Sequence, residues 1–426
     1  MVYALTTKNT DYAQRAERRR NMKHGKIHSR ILIIISAVLF FSSCKKNDES
    51  GYLVGCGQVA GFSRELIQTA LDASVQDYPE LIAATGFVND GVDVFKLVYN
   101  TEVGGNKVEA SGLVAVPSTD GEYPVISFQN GTNTVNAECP SANPYGQYIL
   151  LEFIASMGYV VVIPDYPGFG NSSDIPHPYL IAEPTIRSVE DMFRAAREAQ
   201  DDKLPGIRLK NEFYLIGYSQ GGWATMSLHR DIELNHSGEF SLKGSICGAG
   251  PYDMYNMMLG MSSLSVYPMP SYLCYIINAY SAYGQFTNKV SDILNEPYAT
   301  KLPSLYTGTL TLSEINSQLT TSIPGLLKQE FIAGFATSAK YSSVRDALIR
   351  NSVEPYNTHV PLLLVHGSGD THVNVSTTEN LYTAMINAGT SASLCTKIIY
   401  PGLDHGDALV PCMADALEFI MNLRDN

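Results

Sequence analysis

The chain has 426 residues, of which 45% are hydrophobic and 17% charged, and its formal net charge is −13. At ~100–200 residues per domain, this length fits either one large α/β domain with insertions or a few smaller domains. The composition excludes a largely disordered, collagen-like or polytopic membrane chain. The acidic balance argues against nucleic acid as a partner, because phosphate binding requires a basic surface.

The N-terminal residues 1–43 differ from the rest in charge. They carry eight Lys or Arg and two acidic residues, and residues 31–41 form the apolar run ILIIISAVLFF. This run is too short for a membrane-spanning helix, which needs about 20 apolar residues, but it is typical of a secretory signal. The sequence therefore predicts a signal segment over residues 1–43. Met22 is a plausible true start, because residues 22–44 alone form a signal of ordinary length.

The predicted signal ends on Phe41-Ser42-Ser43-Cys44. This ending resembles a bacterial lipobox, in which small residues precede a lipidated Cys, although Phe41 stands where Leu is usual. The residues KKNDES that follow resemble the tether of surface lipoproteins from Bacteroidetes-type bacteria. We therefore expect a lipid on Cys44, a tether over residues 44–60, membrane anchoring, and an outer-membrane location in the cell envelope. The alternatives are an ordinary signal peptide and a buried apolar helix with a chance Cys.

Strands and helices are predicted to alternate through the first half of the chain. One helix is expected from about Ser63, its N-cap, to Ala84. Apolar and β-rich runs predict strands over residues 94–100, 110–117, 124–128, 159–165, 213–217 and 242–248. Helices are predicted over residues 146–157, 187–201 and 220–234. This alternation favours a mostly parallel sheet with helices on both faces.

The alternation stops at about residue 250 and resumes with strands over 361–367 and 396–401 and helices over 377–388 and 411–424. The interruption over residues 251–355 is too long for a structureless loop. We interpret it as a helical cap inserted between two parts of one core, residues 61–250 and 356–426. Residues 250–290 are rich in Tyr and Met and carry two charged residues, Asp253 and Lys289. They either line an apolar substrate pocket or pack the cap on the body.

The strongest chemical signal is the GxSxG motif at Gly217-Tyr218-Ser219-Gln220-Gly221. It lies directly after a predicted strand and before a predicted helix, which is the context of a nucleophile elbow. Gly217 and Gly221 permit the sharp turn, and the helix N-terminus favours negative charge developing at Ser219. Ser219 is the predicted nucleophile. The alternative is a tight turn in which Ser219 merely caps the helix.

A serine nucleophile needs a base, and the base needs an orienting acid. In hydrolases of this layout the chain order is Ser, acid, His. Asp370 follows the strand over 361–367 and His405 follows the last strand, so both emerge at the same sheet edge as Ser219. We predict Asp370 as the acid and His405 as the base. Other residues that could take these triad roles are His366, His372, Asp404, Asp407 and, as a backup acid, Asp165. The alternative for each of them is a solvated loop residue without a catalytic role.

An oxyanion intermediate requires backbone N–H donors. One is predicted at Gln220, directly after the nucleophile. The second is predicted at Thr132, in the loop that follows the strand over 124–128. The alternative for this loop is a glycine turn without a catalytic role.

Six cysteines remain if Cys44 is lipidated, and an even number in an exported chain permits up to three disulfides. Cys395 and Cys412 flank the loop that carries His405, so they are the preferred pair. The other four are Cys56, Cys139, Cys247 and Cys274. No Cys/His spacing typical of zinc sites occurs, and the sequence predicts neither a metal nor another cofactor.

Taken in order, the segments SGLVAVP, QNGT, YVVVIPDYPGFG, GYSQGG, HGSGD and LDHG resemble the α/β-hydrolase superfamily, and within it the secretory lipase family. The resemblance covers residues 90–250 and 355–426. It implies the α/β-hydrolase fold and triad roles for Ser219, Asp370 and His405. The chain departs from the family pattern at Asn130, where His usually precedes Gly131, and at Asn374, where Pro is frequent.

The function hypothesis is a serine carboxylic-ester hydrolase, an esterase or lipase, that forms an acyl-enzyme with an apolar acyl or aromatic ester. Its substrate is a small-molecule or lipid ester. One alternative is a peptidase or amidase with the same triad. The other is a surface-binding lipoprotein on an inactive hydrolase fold.

Overall fold

A nine-stranded sheet organises residues 51–424, the part of the chain that the computed structural model describes. The predictions for residues 1–50, including Met22 and Cys44, lie outside these residues. The strands are β1 (Leu53–Phe62), β2 (Val92–Val103), β3 (Asn106–Pro117), β4 (Gly121–Gln129), β5 (Val160–Pro164), β6 (Ile207–Tyr218), β7 (Leu242–Gly248), β8 (Leu362–Gly367) and β9 (Cys395–Tyr400).

The strand order is β1-β2-β3-β5-β4-β6-β7-β8-β9. The pairs β1–β2, β2–β3 and β3–β5 are antiparallel. From β5 to β9 every neighbouring pair is parallel. This mostly parallel sheet confirms the predicted fold class. The carboxyl ends of β4, β6, β8 and β9 consequently lie along one edge.

Fifteen α-helices lie in residues 51–424. They are α1 (Arg64–Asp77), α2 (Ile82–Thr85), α3 (Ile149–Glu152), α4 (Ala182–Ala199), α5 (Gln220–Asp231), α6 (Met254–Met261), α7 (Pro270–Ala282), α8 (Val290–Ile293), α9 (Tyr298–Leu305), α10 (Leu312–Ser317), α11 (Ile323–Leu326), α12 (Gln329–Gly334), α13 (Ser342–Asn351), α14 (Ser376–Asn387) and α15 (Leu409–Arg424). Ser63 is the N-cap of α1, as predicted, and its Oγ accepts a hydrogen bond from the Leu66 N–H. In this part of the chain, none of the helices combines the length and apolar character needed to cross a membrane.

Alternating side chains of the strands feed two cores, one on each face of the sheet. In β5, Val160 and Val162 belong to one core, and Val161 and Ile163 belong to the other. Helices α4 and α5 cover the first face, while α1 and α15 cover the second. The period of two along a strand explains this division. Both faces are therefore buried, as expected of a parallel sheet.

The chain between β7 and β8 is helical and contains α6 to α13. Its side chains join the core on the α4 and α5 face of the sheet, with Leu273, Ile293 and Phe331 fully buried. The whole segment precedes β8, the strand whose end carries Asp370.

The predicted tether over residues 44–60 extends too far along the chain. Residues 53–60 belong to β1, which pairs with β2 at one edge of the sheet. Gly55 and Gly57 lower the intrinsic strand propensity of this segment. Its strand conformation depends on pairing with β2, so local composition does not reveal it.

The preferred disulfide is also wrong, because Cys395 and Cys412 are both free thiols. Cys395 belongs to the core on the α4 and α5 face, and Cys412 lies on α15 in the core of the opposite face. The sheet therefore separates the two sulfur atoms. Cys56, Cys139, Cys247 and Cys274 are free as well.

Candidate active site

Ser219 lies at the sharp turn between β6 and α5. Its φ of 61° and ψ of −122° place it in a region that non-glycine residues rarely adopt. Its N–H donates to the Gly248 carbonyl oxygen over 2.8 Å, which ties the turn to the end of β7. The side chain is partly exposed above the sheet edge. Such strain is typical of functional turns that the surrounding structure holds in place.

Close backbone approach explains the glycines of this turn. A Cβ atom on Gly221 would lie 1.8 Å from the Gln129 carbonyl oxygen at the end of β4. A Cβ atom on Gly217 would lie 2.1 Å from the Gly221 carbonyl oxygen. Any larger residue would therefore push α5 away from β4 and β6.

The structure brings the predicted nucleophile, base and acid into one chain of contacts. His405 Nε2 lies 2.9 Å from Ser219 Oγ, and His405 Nδ1 lies 2.6 Å from Asp370 Oδ2. A carboxylate can only accept, so the Nδ1–H of His405 donates to Asp370. In the neutral ring, Nε2 is then free to accept the hydroxyl proton of Ser219. These three residues come from the ends of β6, β8 and β9.

Four donors converge on the Asp370 carboxylate. Oδ1 accepts from the backbone N–H groups of His372 and Val373 over 2.8 and 2.9 Å. Oδ2 accepts from His405 and, over 3.1 Å, from His366 Nε2. Burial alone would raise the pKa of Asp370, but the hydrogen bonds from His366 and His405 outweigh it and hold the pKa well below its usual range. The acid is therefore ionised throughout the neutral pH range.

His366, an alternative triad candidate in the sequence analysis, contacts the predicted acid itself. It is fully buried rather than a solvated loop residue. Its Nδ1 lies 2.7 Å from Thr378 Oγ1, and its Nε2 also lies 2.9 Å from the Val373 carbonyl oxygen. Since Val373 O and Asp370 are both acceptors, Nε2 carries the proton. The four-residue spacing between His366 and Asp370, across a strand end, was the available signal.

The loop after β4 passes beside Ser219. A Cβ atom on Gly131 would lie 3.9 Å from the Ser219 Cβ. Thr132 Oγ1 lies 2.8 Å from the Tyr179 hydroxyl, and this hydrogen bond fixes the Thr132 side chain. Gln220 is the first residue of α5, so its backbone N–H has no partner within the helix. Of the two predicted oxyanion residues, Gln220 directly follows the nucleophile at the start of α5, and Thr132 follows Gly131 in the loop that passes beside it.

His177 fixes the side chain of Gln220. His177 Nδ1 donates to the Pro167 carbonyl oxygen over 2.7 Å, and its Nε2 accepts from Gln220 Nε2 over 2.9 Å. Burial lowers the pKa of His177 to about 4. The ring is therefore neutral at pH 7 and anchors the residue beside the nucleophile.

Asp165, the backup acid of the sequence analysis, has hydrogen-bond partners other than His405. Its carboxylate accepts from the hydroxyls of Ser111 and Ser141, both over 2.5 Å, and from the Ser141 N–H over 2.7 Å. The side chain is buried, and these three bonds fix the loop after β5. Asp370 occupies the Nδ1 side of His405 instead. Asp165 is thus a structural residue of the body.

Cap tyrosines donate hydrogen bonds to the loops around the site. The Tyr267 hydroxyl donates to the His372 carbonyl oxygen over 3.0 Å, and the Tyr275 hydroxyl donates to the Asn133 carbonyl oxygen over 3.4 Å. The Tyr275 ring also stacks on Tyr179 of the body at 4.3 Å between centroids. Tyrosines of the Tyr- and Met-rich segment thus pack the helical segment between β7 and β8 against the rest of the fold.

The same segment also lines a cavity of about 690 Å³ beside the acid loop. Met257, Met261 and Tyr267 line it from the cap, and Asp370 and His372 line it from the body. The His372 ring lies 5.0 Å from the His405 ring. Burial and the neighbouring His405 lower the pKa of His372. The cavity therefore borders the loop of the predicted acid, and residues 253–268 line it with Met and Tyr side chains together with Asp253 and Asn256.

A comparison with known protein families shows which family the chain belongs to. The family model of secretory lipases matches residues 145–422. The chain belongs to the secretory lipase family. Membership places it among hydrolases of ester substrates, and the family's secretory character agrees with an exported protein. No curated protein matches the chain.

Solved structures similar to this secretory lipase family member cover 87–89% of its chain. A protein from Legionella pneumophila with a provisional hydrolase assignment is 27% identical, with a TM-score of 0.77 over 87% of this chain and 98% of that one. The rice cell wall degrading esterase LipA from Xanthomonas oryzae is 26% identical, with a TM-score of 0.73 over 89% and 98% of the two chains. Candida antarctica lipase A in its closed state, at 16% identity and a TM-score of 0.66 over 88% and 82%, shares the fold.

Proposed function

We propose that the protein is a serine carboxylic-ester hydrolase in which Ser219 is the nucleophile, His405 the base and Asp370 the orienting acid. The observation that carries this proposal is the continuous contact from Ser219 Oγ through both nitrogens of His405 to Asp370 Oδ2, at 2.9 and 2.6 Å. The strained turn at Ser219 and the ester hydrolases of the same family support it.

In the acylation step, His405 Nε2 takes the hydroxyl proton as Ser219 Oγ attacks the ester carbonyl carbon. The carbonyl oxygen becomes an oxyanion. Collapse of this intermediate breaks the bond to the alcohol oxygen, which receives the proton from His405. The alcohol leaves, and the acyl group remains on Ser219 Oγ. Asp370 stays ionised and stabilises the imidazolium formed on His405.

Deacylation repeats the same steps with water as nucleophile. His405 takes a proton from water, which attacks the acyl carbonyl carbon. The second intermediate expels Ser219 Oγ, which recovers its proton from His405, and the carboxylic acid is released. In both steps the proposed oxyanion donors are the backbone N–H groups of Gln220 and Thr132. No step requires a metal or an organic cofactor.

The proposed substrate is an ester with an apolar acyl or aromatic acid group. Support comes from the cavity of about 690 Å³ next to Asp370, whose cap side includes Met257, Met261 and Tyr267. Flexible Met side chains and Tyr rings accommodate apolar groups of varied shape. In this proposal residues 251–355 are a cap over the site, set between core parts 61–250 and 356–426.

The test is hydrolysis of p-nitrophenyl esters from acetate to palmitate by the chain from residue 45 onward. Ser219→Ala is expected to lose at least about 10³-fold in kcat, the scale for a removed nucleophile. Ser227→Ala, the same substitution later on α5, is the matched control and should keep full activity. The optimum along the series distinguishes esterase from lipase.

Other substrates test the alternatives in the same experiment. Aminoacyl amides test the peptidase hypothesis. Esters of plant cell-wall polysaccharides are included because the Xanthomonas oryzae esterase degrades rice cell walls. Folded protein that cleaves amides but no ester would contradict the proposal, as would activity that survives in Ser219→Ala.

We also propose that Cys44 carries a lipid and anchors the enzyme to the bacterial outer membrane after removal of residues 1–43. The charge pattern before residue 31 and the Phe41-Ser42-Ser43-Cys44 ending support it. Metabolic labelling with an alkyne fatty acid should mark the wild-type protein in the membrane fraction, and Cys44→Ser should be unlabelled. Cys56→Ser is the matched control. Equal labelling of wild type and Cys44→Ser would contradict lipidation at this residue.

A further inference from the structure

A second cluster of reactive side chains lies away from the contacts of Ser219, His405 and Asp370. Glu190 of α4, Asp231 at the end of α5 and His236 border a charged cavity of about 1150 Å³. Their side chains are 5%, 26% and 35% exposed, respectively. An ion entering the cavity from solvent could therefore reach all three.

The two contacts of the His236 imidazole with the carboxylates are longer than hydrogen bonds. His236 Nε2 lies 3.5 Å from Glu190 Oε2 and 3.5 Å from Asp231 Oδ2. Hydrogen bonds between nitrogen and oxygen are about 2.7–3.2 Å long. A tetrahedral Zn²⁺ with bonds of about 2.1 Å separates its ligand atoms by about 3.4 Å. His236 Nε2 therefore lies from each of the two carboxylate oxygens at the distance expected between two ligands of one ion.

A local change of helix type brings two of these residues together. After α5 the chain continues as a π-helix over Ile232–His236. Residues five apart, such as Asp231 and His236, diverge around an α-helix but approach each other in a π-turn, which often marks functional sites. Glu190 of α4 completes the cluster from the neighbouring helix.

One oxygen of the buried Glu190 carboxylate lacks a hydrogen-bond partner. Its side chain is 5% exposed, and within residues 51–424 its Oε1 atom has no hydrogen-bond partner. The nearest guanidinium nitrogen, on Arg194, lies 3.7 Å from Oε2, while Arg194 itself bonds to Asp191 and Glu239. Burying a carboxylate without full pairing is costly, and a bound cation would remove that cost.

The other nitrogen of His236 faces a carboxylate. Nδ1 lies 3.7 Å from Glu239 Oε2, and Arg194 holds Glu239 through hydrogen bonds of 2.8 and 2.7 Å. Metal-binding histidines usually direct their second N–H to such a carboxylate, which orients the ring. At 3.7 Å this contact is electrostatic rather than a hydrogen bond, and it places a negative charge on the Nδ1 side of His236.

We propose that Glu190, Asp231 and His236 bind a divalent transition-metal ion through two carboxylate oxygens and one imidazole nitrogen. Imidazole suits Zn²⁺ and its transition-metal neighbours, whereas Ca²⁺ and Mg²⁺ prefer oxygen ligands. A fourth position would face the cavity and hold water. The ion would join α4 to the far end of the helix that begins after Ser219, and so stabilise the body of the enzyme.

Isothermal titration of the EDTA-treated protein with ZnCl₂ tests this site. One equivalent should bind, and thermal unfolding should shift up by about 2 °C or more at saturating Zn²⁺. His236→Ala should weaken binding by more than the roughly 10–100-fold that loss of an outer-shell partner causes. Glu239→Gln should fall within that range. His359→Ala, at an exposed histidine, is the matched control and should bind like wild type.

Two further measurements keep the result unambiguous. Co²⁺ in place of Zn²⁺ should give the visible spectrum of a tetrahedral N/O site without a thiolate charge-transfer band, which excludes binding at cysteine. Asp231→Asn serves as a second ligand variant if His236→Ala does not fold. Absence of Zn²⁺ binding, binding unchanged in both ligand variants, or a thiolate band would each overturn the proposal. Ester hydrolysis by His236→Ala is a separate readout, so failure here leaves the proposed function untouched.

Discussion

At the scale of single residues, the acid of the proposed triad depends on a second histidine. His366 Nε2 donates a hydrogen bond to Asp370 Oδ2, and the same oxygen accepts the hydrogen bond from His405 Nδ1. It does so from a fixed position, since Thr378 contacts its other nitrogen and the strand end buries it. We infer that His366 is a positioning residue that keeps Oδ2 aligned with His405.

Replacing His366 should therefore affect turnover more than substrate binding. His366→Leu is expected to lower kcat about 10–100-fold with little change in KM, because a hydrogen bond to a charged group contributes about 1.5–3 kcal/mol. His366→Gln, whose amide can reach the position of Nε2–H, should recover most of kcat. Steady-state kinetics with p-nitrophenyl esters measure both effects.

A purely structural role for His366 would give another pattern. Both variants would then lose activity in proportion to their loss of thermal stability, and the glutamine would give no recovery. Thr378→Val, which removes the contact to Nδ1, should resemble a milder form of His366→Leu. A rise in KM alone would contradict the positioning role.

At the scale of elements, the site depends on how closely α5 approaches the end of β4. In Gly221→Ala, the added methyl group would lie 1.8 Å from the Gln129 carbonyl oxygen. Helix and strand must then separate, which moves Ser219 relative to the loop of Thr132. We expect a loss of at least about 10² in kcat, since small displacements of reacting groups cost this much, and destabilisation of about 1–3 kcal/mol.

The control for this prediction is Gly57→Ala in β1, where an added Cβ atom meets nothing within 4 Å. It should retain the activity and stability of the wild type. Kinetics and thermal unfolding on all three proteins make the comparison. Wild-type turnover in Gly221→Ala would show that the close approach is not required.

The sequence predicted the elements that carry their own local signals and failed where tertiary contacts decide. The motif at Ser219 predicted the turn between β6 and α5 because glycine, strand and helix signals coincide there. β1 was missed because Gly55 and Gly57 weaken its propensity and only pairing with β2 makes it a strand. The assumed Cys395–Cys412 bridge failed because nearness along the chain does not show which face of the sheet a side chain enters.

At the scale of the whole molecule, two glutamates with shifted pKa values, Glu233 and Glu152, should make the free energy of unfolding depend on pH in opposite directions. Glu233 accepts from Tyr356, Thr358 and the His359 N–H over 2.6–2.7 Å. Burial raises its pKa, but hydrogen bonds from these groups and His229 outweigh burial and lower the pKa to about 2. Since this is below the ordinary value of 4.5, the ionised form stabilises the fold above pH 4.5, and that contribution is lost as pH falls toward 2.

Glu152 makes the free energy of unfolding depend on pH in the opposite direction. It is fully buried on α3, and neither carboxylate oxygen finds a hydrogen-bond partner among the described residues. Burial raises its pKa from 4.5 to about 8. The folded protein therefore binds a proton that the unfolded chain releases between these pH values. The resulting stability is complete below pH 4.5 and is lost as pH rises through 8, by roughly 1.4 kcal/mol per pH unit in between.

The substitution Glu152→Gln tests this at the level of global unfolding. The free energy of unfolding of the variant, relative to wild type, should rise by a few kcal/mol from pH 5 to pH 8, because the amide never ionises. Urea unfolding at several pH values measures it. Glu233→Gln is the matched control and should instead cost stability at pH 7 and less as pH falls below 4.5. A pH-independent difference for Glu152→Gln would mean that the buried carboxyl keeps an ordinary pKa, so that α3 must admit water to the interior.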